Sequence, residues 1–88
     1  STSLLVTKVQ EAADSRGVDI KVWASSEAEA KSQYDNTDVI LLGPQVKFIL
    51  GKVKGEVEDK GIKVDVIDMA SYGRMNGEAV LDQILTMI

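Results

Sequence analysis

Val39-Ile40-Leu41-Leu42-Gly43-Pro44-Gln45-Val46 is the stretch that decides the fold. Four consecutive apolar residues leave the segment no polar side, the pattern of a strand covered on both faces of a parallel sheet. Gly43 ends it, and Pro44 is suited to the first turn of a helix. Towards the C-terminus, Val46, Ile49 or Leu50, Val53 and Val57 form one stripe of that helix, which Gly61 stops. Gly51 and Gly55 inside it each cost about 1 kcal/mol relative to Ala, which suggests close packing or a looser middle. Ile62–Ile67 reads as a second such strand, Asp68–Asn76 as a polar loop around Gly73, and Gly77–Ile88 as a closing helix with Val80, Leu81, Ile84, Leu85 and Ile88 inward.

Towards the N-terminus, Asp35-Asn36-Thr37 is turn chemistry, and Ser26-x-x-Glu29 is a capping box that opens a short helix through Gln33. Val18–Ala24 alternates, with Val18, Ile20, Val22 and Ala24 on one side and Trp23, read as packing against a helix, on the other. Ser1–Arg16 reads as a helix with Leu4, Leu5, Lys8, Val9 and Ala12 at helical spacing, hydroxyls for an N-cap at Ser1, Thr2 and Ser3, and Gly17 after its last turn. The order α-β-α-β-α-β-α means βαβ units and a parallel sheet with helices on both faces, a three-layer doubly wound α/β domain. Doubly wound domains ordinarily open with a strand that becomes central to the sheet. This chain opens with a helix. The expectation is one domain over residues 1–88 that is N-terminally incomplete: a four-stranded sheet in order 2-1-3-4, with a first strand before Ser1 that lies between Val18–Ala24 and Val39–Leu42.

Composition narrows the chemistry. Fourteen acidic and ten basic side chains leave a net charge of −4 in 88 residues, against the basic face that nucleic acid requires. No apolar run approaches the roughly 20 residues that a bilayer-spanning helix needs, so no direct membrane insertion is expected. The chain has no Cys and no His, which removes thiolates, the commonest general base and the commonest metal ligand. No carboxylate pair, Gly-rich nucleotide loop or metal-ligand spacing is present, so no metal or other cofactor is expected. Either the domain binds without reacting, or its reactive group lies outside these residues.

Three segments in register carry a resemblance. Ser1-Thr2-Ser3-Leu4-Leu5-Val6, Asp38 to Val46 with its Leu-Leu-Gly-Pro-Gln, and Val66-Ile67-Asp68 followed by Tyr72-Gly73 and Asn76-Gly77 together resemble the B component (EIIB) of the phosphoenolpyruvate-dependent sugar phosphotransferase system, in its lactose, cellobiose and diacetylchitobiose branch. The resemblance covers nearly the whole chain. It implies a cytoplasmic phosphocarrier that takes a phosphoryl group from a phosphohistidine of the A component onto a cysteine. The carrier then passes the group to a β-linked disaccharide at the membrane C component. In that family a strand and a Cys-Ser-Ala-Gly-Met-like loop precede Ser-Thr-Ser, which puts the cysteine five positions before Ser1.

The residues fit that chemistry. Unpaired N–H groups and the dipole at a helix N-terminus lower a thiol pKa and bind phosphate. Ser1, Thr2 and Ser3 are thus the expected phosphate-binding residues, with plain N-capping as the other role open to them. Pro44 and Gln45 follow a strand, and Tyr72 and Gly73 follow the next, so all four are expected on the carboxyl edge of the sheet as site rim or partner contacts. Gln45 as a solvated first-turn residue and Tyr72 as a half-buried rim aromatic are the alternatives. Met69 and Met75 are either part of a docking surface or gap-fillers. Lys47, Lys52, Lys54, Lys60 and Lys63 read as a solvated face. The rival class is a non-catalytic flavodoxin-like or receiver-like module. A receiver wants an Asp after its third strand, and here Leu42-Gly43-Pro44 stands there.

Overall fold

The computed structural model describes residues 2–88, with the side chain of Thr2 left out, and Ser1 lies outside the description. In chain order the elements are α1 (Thr2–Arg16), α2 (Glu27–Lys31), β1 (Val39–Leu42), α3 (Leu50–Val57), β2 (Lys63–Val66), α4 (Met69–Gly73) and α5 (Gly77–Met87), with 3-10 turns at Tyr34–Asn36, Pro44–Ile49 and Glu58–Lys60. β1 and β2 pair in parallel, Val39 opposite Lys63 and Leu42 opposite Val66. Ile40, Leu42, Val64 and Val66 face α3, whose Val53 and Val57 are buried against them with Ile62. Leu41 and Ile67 face the other way, onto Leu5, Val9, Ala12 and Ala13 of α1 and Val80 and Leu81 of α5. This is an α/β architecture with helices on both faces of a parallel sheet.

Chain ends of the helices follow local rules. Gly17 adopts φ 71°, Val18 N–H donates to Ala13 O at 2.8 Å and Gly17 N–H to Asp14 O at 3.3 Å. That pairing is a Schellman cap, and Gly is the residue that enters its left-handed position without strain. Gly61 does the same at φ 73° after the 3-10 turn that ends α3. The Ser26–Glu29 capping box forms as expected, with Glu29 N–H on Ser26 Oγ at 3.2 Å and Ser26 N–H on Glu29 Oε1 at 3.2 Å.

The Val18–Ala24 segment departs from expectation: it forms no strand ladder, so the sheet of the described residues has two strands rather than three. The alternation is nonetheless physical, since Val18, Ile20 and Val22 pack on the α1–α5 core while Asp19 and Lys21 are exposed. Its backbone groups find a side chain instead of a strand. Gln10 donates its amide to Ile20 O at 3.0 Å and accepts from Val22 N–H at 3.1 Å. One primary amide thereby makes the donor and acceptor pair that one residue of a parallel neighbour would make. Trp23, expected against a helix, is 39% exposed. β1 is correspondingly less covered than its sequence implies, with only Leu42 fully buried, because no strand of the described residues lies beside its second edge.

Other boundaries move too. The helix expected after Gly43 is a 3-10 turn with a break at Val46 (φ −121°, ψ 22°), and regular α-helix begins only at Leu50. Helix α2 stops at Lys31 instead of Gln33. The expected loop Asp68–Asn76 contains α4, capped by Asp68, whose carboxylate accepts from Ser71 N–H at 3.1 Å. On α1 the buried stripe is Leu5, Val9, Ala12 and Ala13, with Leu4 and Lys8 exposed. Leu85 and Ile88, expected inward, are exposed, because α5 runs out past its contact with α1. Gly51 and Gly55 pack against nothing, as a Cβ on either would meet no atom within 4 Å.

The outer edge of β2 is blunted. Lys63 and Ile67 donate to β1, so Val64 and Val66 turn their backbone groups outward. At Val66 both are occupied: its N–H donates to Asp65 Oδ1 at 2.7 Å and its carbonyl accepts from Gln83 Nε2 at 2.9 Å. Such capping removes the template for edge-to-edge pairing.

Gly77 is a different kind of glycine. A Cβ there would run into the carbonyl of Lys8, so α5 starts directly on the backbone of α1. Arg16 at the far end of α1 bonds Glu78 and Asp82, and its guanidinium is held further above its ordinary pKa first by Asp82 and then by Glu78. Lys8 beside Gly77 and Arg16 beside Asp82 mean that the two helices run in the same direction, as helices on one face of a parallel sheet do. Gly77→Ala is therefore expected to destabilise the domain by about 1–3 kcal/mol through forced backbone movement. Gly55→Ala, in open space within a helix, is expected to stabilise it by about 0.5–1 kcal/mol. Urea denaturation of the two variants, compared at unchanged m, checks both signs.

Acid should loosen the α2 end first. The Ser26 backbone N–H, and then its hydroxyl, hold Glu29 below the usual carboxylate range, and the Lys52 ammonium does the same to Glu27 at 2.7 Å. A carboxylate depressed in the folded state contributes stability above its unfolded pKa, about 4.3, and loses it as pH falls through the lower folded value. Denaturation midpoints measured from pH 6 down to 3 should fall below about pH 4.3, and Ser26→Ala should flatten that fall.

Candidate functional site

Both crossovers leave the strands at one edge of the sheet. After β1 the chain turns at Gly43 into Pro44-Gln45; after β2 it passes Ile67 and Asp68 into α4. Open α/β sheets bind ligands at the carboxyl ends of their strands, and these two segments form that edge here. They touch through one bond: Gln45 Nε2 donates to the Tyr72 hydroxyl oxygen at 3.2 Å. Of the four rim residues expected from the sequence, the structure joins Gln45 and Tyr72 directly, with Pro44 and Gly73 each next in the chain to one of them.

Glycine at 43 has a local reason. The Gln45 side chain folds back over it, and a Cβ on residue 43 would lie 2.5 Å from Gln45 Oε1 and 2.6 Å from Nε2. The amide lies between the bare Cα of Gly43 and the Tyr72 hydroxyl. Tyr72, half-buried, packs its ring against the α1–α5 core, which fixes where its hydroxyl stands. Because that oxygen accepts from Gln45, its own O–H points elsewhere, and Gln45 retains a second amide N–H. Two donors linked in series polarise one another. The arrangement suits an anion.

The start of α1 lies at the same edge. Leu5 belongs to the core cluster that Tyr72 and Met75 pack against, and α1 runs parallel to α5, which itself begins just after α4. Ser3 is exposed on the first turn, and its carbonyl accepts from Thr7 Oγ1 at 3.1 Å. Ser1 and the Thr2 side chain fall outside the described residues. Asp68 caps α4 by accepting from Ser71 N–H and so holds Tyr72, a role beyond its place in the Val66-Ile67-Asp68 segment; Asp68-x-x-Ser71 is the sequence signal for it. Met75, the one non-glycine residue with positive φ among those described (52°), is packed against the core; Met69 is exposed. Lys52 pairs with Glu27, whereas Lys47, Lys54, Lys60 and Lys63 have no carboxylate partner among the described residues. Those residues contain no group of three or more His, Cys, Asp or Glu that could hold a metal, and no helix long and apolar enough to cross a membrane.

Fold and edge define a small open-sheet α/β domain whose hydrogen-bond donors gather where such sheets take ligands. Residues 1–83 match the family model of the PTS system, Lactose/Cellobiose specific IIB subunit, and the chain belongs to that family. It is 39% identical to the PTS system oligo-beta-mannoside-specific EIIB component of Bacillus subtilis (strain 168), over all of this chain and 85% of the relative. It is 45% identical to the galactose-specific EIIB component of Lactococcus lactis subsp. cremoris (strain MG1363) and to the cellobiose-specific one of subsp. lactis (strain IL1403), in each case over 92% of this chain and 80% of the relative. The solution structure of the cellobiose-specific phosphotransferase IIB component from Borrelia burgdorferi superposes with a TM-score of 0.80 at 33% identity, covering 99% of this chain and 80% of that one.

Gly43→Ala tests the edge. The group displaced is the end of a flexible side chain, so stability should change by less than about 1 kcal/mol while the Gln45–Tyr72 bond is lost. NMR of the Gln45 side-chain amide should show its two protons collapse towards solvent-exposed shifts in Gly43→Ala and in Tyr72→Phe alike.

Proposed function

We propose that this chain is the phosphocarrier of a sugar phosphotransferase system, forming one domain with a segment that precedes Ser1 and carries the nucleophile. The observation that supports it best is the Gln45–Tyr72 donor pair at the carboxyl edge, beside the start of α1. On this reading a strand before Ser1 pairs with the second edge of β1 and separates it from Val18–Ala24, making the order 2-1-3-4. Those two segments share no hydrogen bond among the described residues, which leaves room for it.

The thiolate of a cysteine five positions before Ser1 attacks phosphorus in the phosphohistidine of the A component; the S–P bond forms as the P–N bond breaks. In the second half a hydroxyl of a β-linked disaccharide, held by the membrane C component, attacks the same phosphorus. The S–P bond then breaks, and the hydroxyl proton leaves to solvent or base. Backbone N–H groups opening α1, with Ser1, Thr2 and Ser3, hold the phosphoryl oxygens. Gln45 and Tyr72 add donors aimed where charge spreads in the transition state. Pro44 and Gly73 shape the rim. The partners are both proteins, and the setting is cytoplasmic. The relatives named for cellobiose and for oligo-β-mannosides support a β-linked sugar, while the third is named for galactose.

Residues 1–88 alone, mixed with labelled phosphoenolpyruvate, the general components and the A component, should take no stable label, since Ser and Thr hydroxyls without a base cannot replace a thiolate. The full chain should be labelled, and Cys→Ser at the fifth position before Ser1 should abolish it. Stable label on Ser1, Thr2 or Ser3 of the short chain would overturn this assignment of the nucleophile.

A further inference from the structure

Phe48 and Met69 are the two most exposed large apolar side chains among the described residues, at 79% and 68%. Each stands close in the chain to one end of the Gln45–Tyr72 bond. Phe48 lies three residues after Gln45 in the Pro44–Ile49 turn, and Met69 lies three residues before Tyr72 in α4. Neither side chain belongs to the core under α3 or to the α1–α5 core, and no element of the described residues covers them. Their exposure fits the chemistry, which requires a protein surface to close over this edge and keep water from the transferring group.

Resting on the phosphocarrier reading, we propose that Phe48 and Met69 are the apolar anchors by which this edge docks the phosphorylated A component. Charge selects that partner over the C component. The centre of the patch offers N–H and O–H donors from Gln45 and Tyr72, and Lys47, next to Phe48, is exposed and has no carboxylate partner among the described residues. An incoming protein that carries a phosphoryl dianion gains from these groups; one that carries a neutral sugar does not. An apolar pair flanking a cationic, donor-rich centre is the arrangement that buries anchors while it pairs the charge.

Phosphoryl transfer from the phosphorylated A component to the full-length carrier, at varied A component, tests this with Phe48→Ser, Met69→Ser, Phe48→Leu and the control Ile88→Ser. The two serine variants should each raise KM for the A component about tenfold, as interface anchors do, with kcat within about twofold of the parent. Phe48→Leu should restore most of the affinity, and Ile88→Ser should match the parent. Onward transfer from pre-phosphorylated carrier to sugar through the C component should be unchanged. Unaltered KM in both serine variants, or a defect confined to the onward step, would overturn the surface while leaving the phosphocarrier reading intact. A parent carrier that takes no phosphoryl group from the A component would overturn both.

Discussion

Everything in this domain hangs on the seating of α5 against α1. A two-stranded parallel sheet cannot hold itself together, since it buries too little and leaves too many edge groups open. The structure compensates by packing two helices at backbone distance, Gly77 on the Lys8 carbonyl, so that Leu5, Val9, Ala12, Ala13, Val80 and Leu81 form one core. Ile67 and Leu41 then have something to face, and the Arg16 bonds to Glu78 and Asp82 fix the helices' relative slide. The second core, between α3 and the other side of the sheet, is built on strands that this contact has positioned.

The candidate edge inherits its order from the same contact. α4 is only five residues long and would not persist alone, but Asp68 caps its start and Tyr72 is anchored in the α1–α5 core. Gln45, reaching across from the other crossover, joins two loops that are otherwise independent. The site is thus a rigid pair of donors on short elements, held by a cap, a bare glycine and one packed ring. Such support matters for phosphoryl transfer, where positioned electrostatics supply most of what a protein can contribute.

Much of this was legible without coordinates. The capping box at Ser26 and the glycines at 17 and 61 each describe interactions between residues a few positions apart, and each formed as expected, whereas Leu-Leu-Gly-Pro-Gln formed its strand and then a broken 3-10 turn in place of the expected helix. Gln45 and Tyr72 could be assigned to one edge because strand direction alone places both crossovers there. Their bond could not be foreseen, for the two are 27 residues apart and its length depends on the fold of Gln45 over Gly43. Helix α4 was missed because one Asp cap is a weak signal beside Gly73 and a run of polar residues.

Sequence by itself determined the local periodicities, the caps at Gly17, Ser26 and Gly61, the parallel α/β class and the absence of His and Cys from residues 1–88. These depend on neighbours in the chain and on side-chain chemistry. Tertiary structure decided the rest: that Val18–Ala24 is bonded by Gln10 instead of a strand, that Gly51 and Gly55 stand open while Gly77 is pressed against a carbonyl, and that Phe48 and Met69 are left uncovered at the site. A glycine reads the same in either setting, and so does an apolar residue. Only the distance to what lies opposite tells them apart, and that distance is a property of the packed chain.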